Sequence, residues 1–151
     1  MARKNRAVIV DTYAIMADLT GQAPLAATNI LDKIRSGEVK GILHYLIIYE
    51  LSYHWRKGRL PFYNEKELLD FVETYFDLTP LDPQIALKAS KIKIVGDQLL
   101  KESNDPVLRH RKLSVSDATT IVLAEKYNVP IVTGDADLSY VAKKLGIEII
   151  W

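Results

Sequence analysis

One stretch constrains the fold more than any other: Leu113-Ser-Val-Ser-Asp-Ala-Thr-Thr-Ile-Val-Leu-Ala-Glu-Lys-Tyr-Asn-Val-Pro-Ile-Val-Thr-Gly-Asp-Ala-Asp137. Ser114 or Ser116 can cap a helix whose apolar residues Ala118, Ile121, Val122, Leu123 and Ala124 recur at helical spacing until Tyr127-Asn128. Val129-Pro-Ile-Val-Thr133 then reads as a short strand that Gly134 breaks. Asp135 and Asp137 follow in the turn past its carboxyl end, where open α/β sheets place their ligands.

The rest of the chain repeats that alternation. Behind a basic lead-in, Arg3-Lys-Asn-Arg6, Ala7 to Val10 is a continuous apolar run suited to a strand buried on both faces, and Asp11 ends it. A helix is expected from Thr12 to near Gly21, a second from Ala23 to Ile34 ending at Ser36-Gly37, and a second strand at Gly41-Ile-Leu-His44. Leu46 to Arg56 is helical in pattern, with Ile47, Leu51 and Trp55 on one face and Glu50 beside it. Asn64 caps a helix over 65–76 with Leu68, Leu69, Val72 and Tyr75 inward, and a short strand follows at Leu78-Thr79. Pro83 opens a long helix through Ile85, Ala86, Ala89, Ile92 and Ile94, which Gly96 is expected to interrupt before Leu99-Leu100. Asn104-Asp-Pro106 reads as a breaker and Arg109-His-Arg-Lys112 as a basic loop; Leu138 to Leu145 and Ile147 to Trp151 supply the last helix and strand. Strands alternating with helices predict a single α/β domain over 1–151 with a parallel sheet and right-handed crossovers.

Composition narrows the functional classes. The absence of cysteine excludes a disulfide scaffold and any thiolate metal site. Asp11 interrupts the first apolar run too early for a signal peptide, and no segment reaches about 18 apolar residues, so a soluble cytoplasmic protein without a membrane span is expected. A net charge of +1 gives no global attraction to nucleic acid, so a polyanionic partner must be held by a local patch or through cations.

The acids occupy equivalent places. Asp11 ends the first strand, Glu50 follows the second, Asp117 begins the central helix and Asp135 follows the late strand. If the first and late strands are neighbours, these carboxylates meet in one crevice. A like-charged pair at about 4 Å costs roughly 4 kcal/mol at an effective dielectric near 20, more than the ~1 kcal/mol a helix cap returns. Structure alone would not assemble such a cluster, whereas a hard divalent cation would. Oxygen-only ligands suit Mg²⁺ or Mn²⁺ rather than Zn²⁺.

Val8-Ile-Val-Asp11-Thr12, Tyr49-Glu50-Leu51 followed by Arg56-Lys57-Gly58, Leu113-Ser-Val-Ser-Asp117-Ala118, and Ile131-Val-Thr133-Gly-Asp135-Ala-Asp137-Leu together resemble the four acidic motifs of the PIN domain, and most of all the VapC-like toxin ribonucleases. The resemblance spans essentially the whole chain. It implies a three-layer α/β/α fold around a five-stranded parallel sheet in order 3-2-1-4-5, metal-dependent cleavage of single-stranded RNA, a homodimer and a small antitoxin partner of VapB type. Carried over by position, the catalytic and metal-holding acids are Asp11, Glu50, Asp117 and Asp135, with Asp137 as a further metal contact and Thr12 and Thr133 in support. Tyr13 departs from the small or apolar residue expected after the Asp-Thr pair. The chemistry implied is hydrolysis of a phosphodiester by water, without a side-chain nucleophile. Arg109, Arg111 and Lys112 are candidate phosphate contacts just ahead of the Asp117 helix.

Other readings of the same residues stay open at this level. Ser114-x-x-Asp117 is also a capping box, Asp135 and Asp137 can be turn and N-cap residues, and Glu50 can pair with His54 one turn on. The Arg109–Lys112 loop, and Arg56, Lys57 and Arg59, can be solvated surface. Tyr45, Tyr49, Tyr53 and Trp55 are spaced like packing or dimer-face residues. An aspartyl-phosphate phosphatase would use Asp11 but needs a second Asp two residues on, where this chain has Tyr13. From another class comes a PIN-like module that binds RNA within a larger processing assembly and cuts nothing.

Overall fold

The structure, a computed structural model, describes residues 6–151; of the basic lead-in only Arg6 lies within it. Five strands form one sheet in the order β3-β2-β1-β4-β5: β1 (Ala7–Val10), β2 (Lys40–His44), β3 (Asp77–Thr79), β4 (Ile131–Val132) and β5 (Ile149–Ile150). Every pairing is parallel, and Ile9 sits opposite both Ile42 of β2 and Ile131 of β4.

Alternation along β1 explains why all its residues are apolar. Val8 and Val10 join one core, with α1 (Thr12–Leu19), α2 (Leu25–Arg35), α3 (Tyr45–Arg56) and α4 (Glu65–Tyr75). Ile9 faces the other, with α5 (Pro83–Lys101), α6 (Pro106–Arg109), α7 (Val115–Tyr127) and α8 (Ala136–Lys144). The result is a three-layer α/β/α sandwich whose central strand is buried on both sides, as a parallel sheet requires. Among the described residues no helix is long and apolar enough to cross a membrane.

Several boundaries depart from the sequence reading for physical reasons. α5 runs through Gly96 without a break, because a Cβ there would meet Leu113 at 2.6 Å and Val141 at 3.3 Å. Gly96 lets the helix lie close to its neighbours rather than ending it. The expected breaker at Asn104-Asp-Pro106 is instead a helix start, with the Asp105 side chain accepting from the Val107 N–H and Pro106 in the first turn. Arg109 therefore ends a short helix. Leu69, Tyr75 and Ile94 face outward, because the buried stripes run through Leu68 and Val72 on α4 and through Ile85, Ala89, Gly96 and Leu100 on α5. On α3, Tyr45, Tyr49 and Tyr53 are exposed, while Trp55 packs against the core and donates to the Phe62 carbonyl at 2.7 Å.

The sheet order changes direction between β1 and β4: from β1 the chain moves out through β2 and β3, and β4 and β5 then add on β1's other side. That switch point opens a crevice at the carboxyl ends of the two strands.

Candidate active site

Local folding delivers a carboxylate to each side of this crevice. Asp11 leaves β1 and becomes the N-cap of α1, its Oδ1 accepting from the Ala14 N–H at 3.0 Å. Its other oxygen accepts from the Thr133 hydroxyl at 2.5 Å, and the Asp135 N–H donates to that hydroxyl at 3.0 Å, so the ends of β1 and β4 are tied together. Asp135 is in turn the N-cap of α8, through Oδ2 and the Leu138 N–H at 2.8 Å. The cap of that helix is thus Asp135 rather than Asp137.

Glu50 reaches the crevice from α3. Its Oε1 accepts from the Thr12 hydroxyl at 2.6 Å and from Ser116 at 3.0 Å, so it is held by α1 and α7 and not by His54. Ser114 caps α7 by accepting from the Asp117 N–H at 2.9 Å. The cap uses the Asp117 backbone, which leaves its carboxylate facing the other acids. Upstream, Leu113 is fixed by Asp97, which accepts from its N–H at 2.8 Å, and by Lys93, which donates to its carbonyl at 2.7 Å.

Asp11, Thr12, Glu50, Ser114, Asp117, Asp135 and Asp137 line one cleft of about 460 Å³, with Tyr13, Met16, His54, Arg111 and Lys112 on its rim. A larger hollow of about 610 Å³ lies at the opposite, amino edge of the sheet, but there the cations Arg6 and Lys40 are mixed with the carboxylate of Asp77. The electrostatics single out the cleft. Burial pushes the Asp11 carboxyl up to about 7 despite the bonds from Thr133 and Ala14, with the charges of Asp135 and Glu50 pushing the same way. Asp117 is pushed up to about 8, first by burial and then by Asp135, Asp11 and Glu50, against a hydrogen bond from Ser114 that pulls it down. Burial and Asp135 also raise Asp137, against the pull of Arg111, whose guanidinium lies 3.0 Å from it.

The match covers nearly all of the chain: the sequence model of the PIN domain family aligns with residues 8–144. The chain belongs to the PIN domain family. Solved structures share the fold at low identity. VapBC2 from Rickettsia felis, bound to a DNA fragment from their promoter, aligns with a TM-score of 0.64 at 12% identity, over 95% of this chain and 96% of that one. PAE2754 from Pyrobaculum aerophilum aligns at 0.59 and 21% identity, over 99% and 92%, and FitAcB from Neisseria gonorrhoeae at 0.59 and 17%, over 94% and 95%. No curated protein matches significantly by sequence.

Within this PIN domain, the residues singled out from sequence do not all converge. Asp11, Glu50, Asp117, Asp135 and Asp137 share the cleft, with Thr12 and Thr133 bonded to two of them. Of the basic trio, Arg111 and Lys112 stand on the rim, whereas Arg109 turns back to donate to the Ser103 and Asn104 carbonyls at 3.1 and 3.3 Å. The pairing of Ser116 with Glu50 is not legible in the sequence. The serine's position beside Asp117 was the available signal, but only the fold brings α3 against α7.

The cleft suits a hard divalent ion in its chemistry. Its donors are carboxylate and hydroxyl oxygens, and the buried Asp137 Oδ1 has no hydrogen-bond partner among the described residues, an orphan that a cation would satisfy. The acids do not form a closed shell, since no three candidate ligands among the described residues are already gathered for one ion. Asp11, Glu50 and Asp135 are instead each held by hydrogen bonds from backbone N–H groups or hydroxyls.

Proposed function

We propose that this PIN domain is an endoribonuclease that hydrolyses single-stranded RNA with Mg²⁺ or Mn²⁺, as the toxin of a toxin–antitoxin pair. The observation that carries the reading is the convergence of Asp11, Glu50, Asp117 and Asp135 on one cleft at the switch point, two of them with strongly raised pKa values. Packing like charges there is costly to the fold, and a bound cation is the economical reason to keep them.

Asp11, Asp117 and Asp135, with Glu50 and Asp137, would hold the ion. When bound, it supplies Lewis acidity for a hydrolytic water and neutralises charge on the phosphate oxygens. Thr133 and Thr12 with Ser116 fix the orientation of Asp11 and Glu50. Arg111 and Lys112 stand where a phosphate backbone would enter, and they also line a basic hollow with Lys101, Arg109 and His110, so positive charge continues beyond the acids.

VapBC2 is solved on a DNA fragment from their promoter and FitAB on an IR36 DNA fragment. On that likeness we assign this chain a small antitoxin of VapB type. The exposed tyrosines of α3 support a homodimer through that helix.

The deciding experiment incubates purified protein with end-labelled single-stranded RNA in Mg²⁺, Mn²⁺ or EDTA. Cleavage with either ion and none in EDTA is expected. Full activity in EDTA would overturn the mechanism, and binding without cleavage in every condition would return the chain to the non-catalytic RNA-binding reading.

A further inference from the structure

Beside the acidic cleft lies another depression, of about 410 Å³, with Tyr13, Met16, Gln22, Arg59 and Trp151 in its wall. Tyr13 and Met16 belong to both walls, so the depression opens directly beside the acids. Its aromatic pair is built in place. The Tyr13 and Trp151 rings meet edge to face with centroids 5.5 Å apart, one at the start of α1 and the other just past β5. Behind them Gly134 lies against the indole: a Cβ at that position would stand 2.3 Å from Trp151 Cε2, so a side chain there would displace the ring. The turn that delivers Asp135 is therefore shaped around this indole.

Both rings nevertheless remain open to solvent, Tyr13 at 49% and Trp151 at 37% exposure. Two aromatic rings packed on each other and still partly exposed are the elements of a stacking platform, since every nucleobase offers a π-face. Arg59 and Gln22 add donors and acceptors at the edge of the depression. Arg59 is steadied by a 2.9 Å contact with His54, which itself lines the acidic cleft.

We propose that this depression is a nucleobase subsite, taking one unstacked base of single-stranded RNA next to the phosphate held at the acids. The proposal rests on the nuclease reading for the identity of the polymer. A strand would run from the basic hollow past Arg111 and Lys112, over the acids, and place the next base against Tyr13 and Trp151. Binding would then depend on phosphate charge on one side and on a base on the other.

The test measures anisotropy of short labelled RNA oligomers on the full-length protein with its acids intact, Ca²⁺ replacing Mg²⁺ as an oxygen-ligated ion of looser geometry, with a single abasic site moved through the oligomer. One position is expected to weaken binding about tenfold or more, the scale of a lost base–aromatic stack. In the Tyr13→Leu background that position should bind no worse than its neighbours, Tyr13→Phe should restore the difference, and the salt dependence should not change. Trp151→Leu tests the second ring, and Tyr13→Leu, at an exposed position, decides the matter if the Trp151 variant fails to fold. Equal losses at every abasic position, or the same profile in Tyr13→Leu, would overturn the subsite and leave the depression to a protein segment. The two readings fail separately: wild-type cleavage without a base-dependent position removes only the subsite, and a base-dependent position without cleavage removes only the nuclease.

Discussion

The two edges of the sheet solve opposite problems with the same kinds of side chain. At the amino edge, Lys40 and Asp77 lie 3.2 Å apart with side chains 59% and 54% exposed, opposite charges meeting in water. At the carboxyl edge Asp11 is only 4% exposed, and the charges around it are those of Asp135 and Glu50. The first arrangement is what solvent and chain geometry yield without selection for anything further, and contributes about 0–1 kcal/mol. The second opposes the fold, and under the proposed function a bound cation offsets that cost. Size is a poor guide between them: the amino-edge hollow is the larger, and the carboxyl edge gathers the acids.

The largest expected effect separates the edges by activity. Asp11→Asn and Glu50→Gln should each lower metal-dependent RNA cleavage by about a hundredfold or more, a loss of about 2.7 kcal/mol in transition-state stabilisation. Lys40→Met combined with Asp77→Asn should leave the rate within about twofold, as expected for a surface pair remote from the reaction. Comparable losses at both edges would mean that the acids act through general stability, and a thermal melt of each variant checks this directly.

How far this contrast was legible in the sequence depends on the range of the interactions. Strand and helix positions followed from local patterns, and the caps at Asn64 and Ser114 formed as read, because a cap is a contact between residues three apart. The acids could be placed at element ends for the same reason. What could not be read was long-range: Thr133 to Asp11 spans 122 residues and Ser116 to Glu50 spans 66, and nothing in either local stretch specifies the partner. Gly96 misled because a glycine in a helical pattern has two physical meanings, a stop or a close approach, and only the presence of Leu113 and Val141 decides. Arg109 is adjacent to Arg111 in sequence, yet the short helix opened by Pro106 turns it toward the Ser103 and Asn104 carbonyls.

A second effect sharpens the comparison through Asp117. Its cap to Ser114 runs through the backbone N–H, so Asp117→Asn keeps that bond while removing the carboxylate charge. With the folded pKa raised to about 8, ionising Asp117 costs the fold free energy at pH 7 relative to an unfolded chain with an ordinary carboxyl. The metal-free variant should therefore melt no lower than wild type, and by up to several degrees higher. It should also lose most of the Mg²⁺-dependent rise in Tm that linkage gives the wild type. A variant that melts lower while keeping the full Mg²⁺ response would show that Asp117 is a helix-start residue and nothing more.

The pH profile carries the same contrast without any substitution at the cleft. Raised carboxyls bind protons in the fold that the unfolded chain has already released, so the stability they lend is complete below about 3.8 and is lost as pH rises through about 7 for Asp11 and about 8 for Asp117. Metal-free protein should lose stability steadily across that window, each unit of raised pKa corresponding to about 1.4 kcal/mol before relaxation and water entry reduce it. Saturating Mg²⁺ should flatten the decline, whereas the Lys40→Met, Asp77→Asn protein should retain it in full. Denaturant midpoints from pH 4 to 9 measure the slope; stability that increases with pH in the metal-free protein would contradict the like-charge account of the cleft.

The smallest effect asks whether like charge alone, without burial, is enough to make an edge costly. Lys40→Glu replaces the opposite pair at the amino edge by two carboxylates, with Asp77 at its ladder position opposite Ile42. Both side chains stay more than half exposed, so solvent screens them and the cost should be about 1 kcal/mol or less, falling as salt is added. In a chain of this size that is a drop of about 2–4 °C in Tm at low ionic strength. A cycle with Asp77→Asn isolates the pair, because Asp77→Asn in the Lys40→Glu background should recover most of the loss. Were the reversal to cost several kcal/mol and ignore salt, repulsion by itself would explain the carboxyl edge and burial would be incidental. A small, salt-sensitive cost instead assigns the raised Asp11 and Asp117 to desolvation first and to their neighbours second, which is the condition under which a cation entering the cleft returns the most stability to the fold.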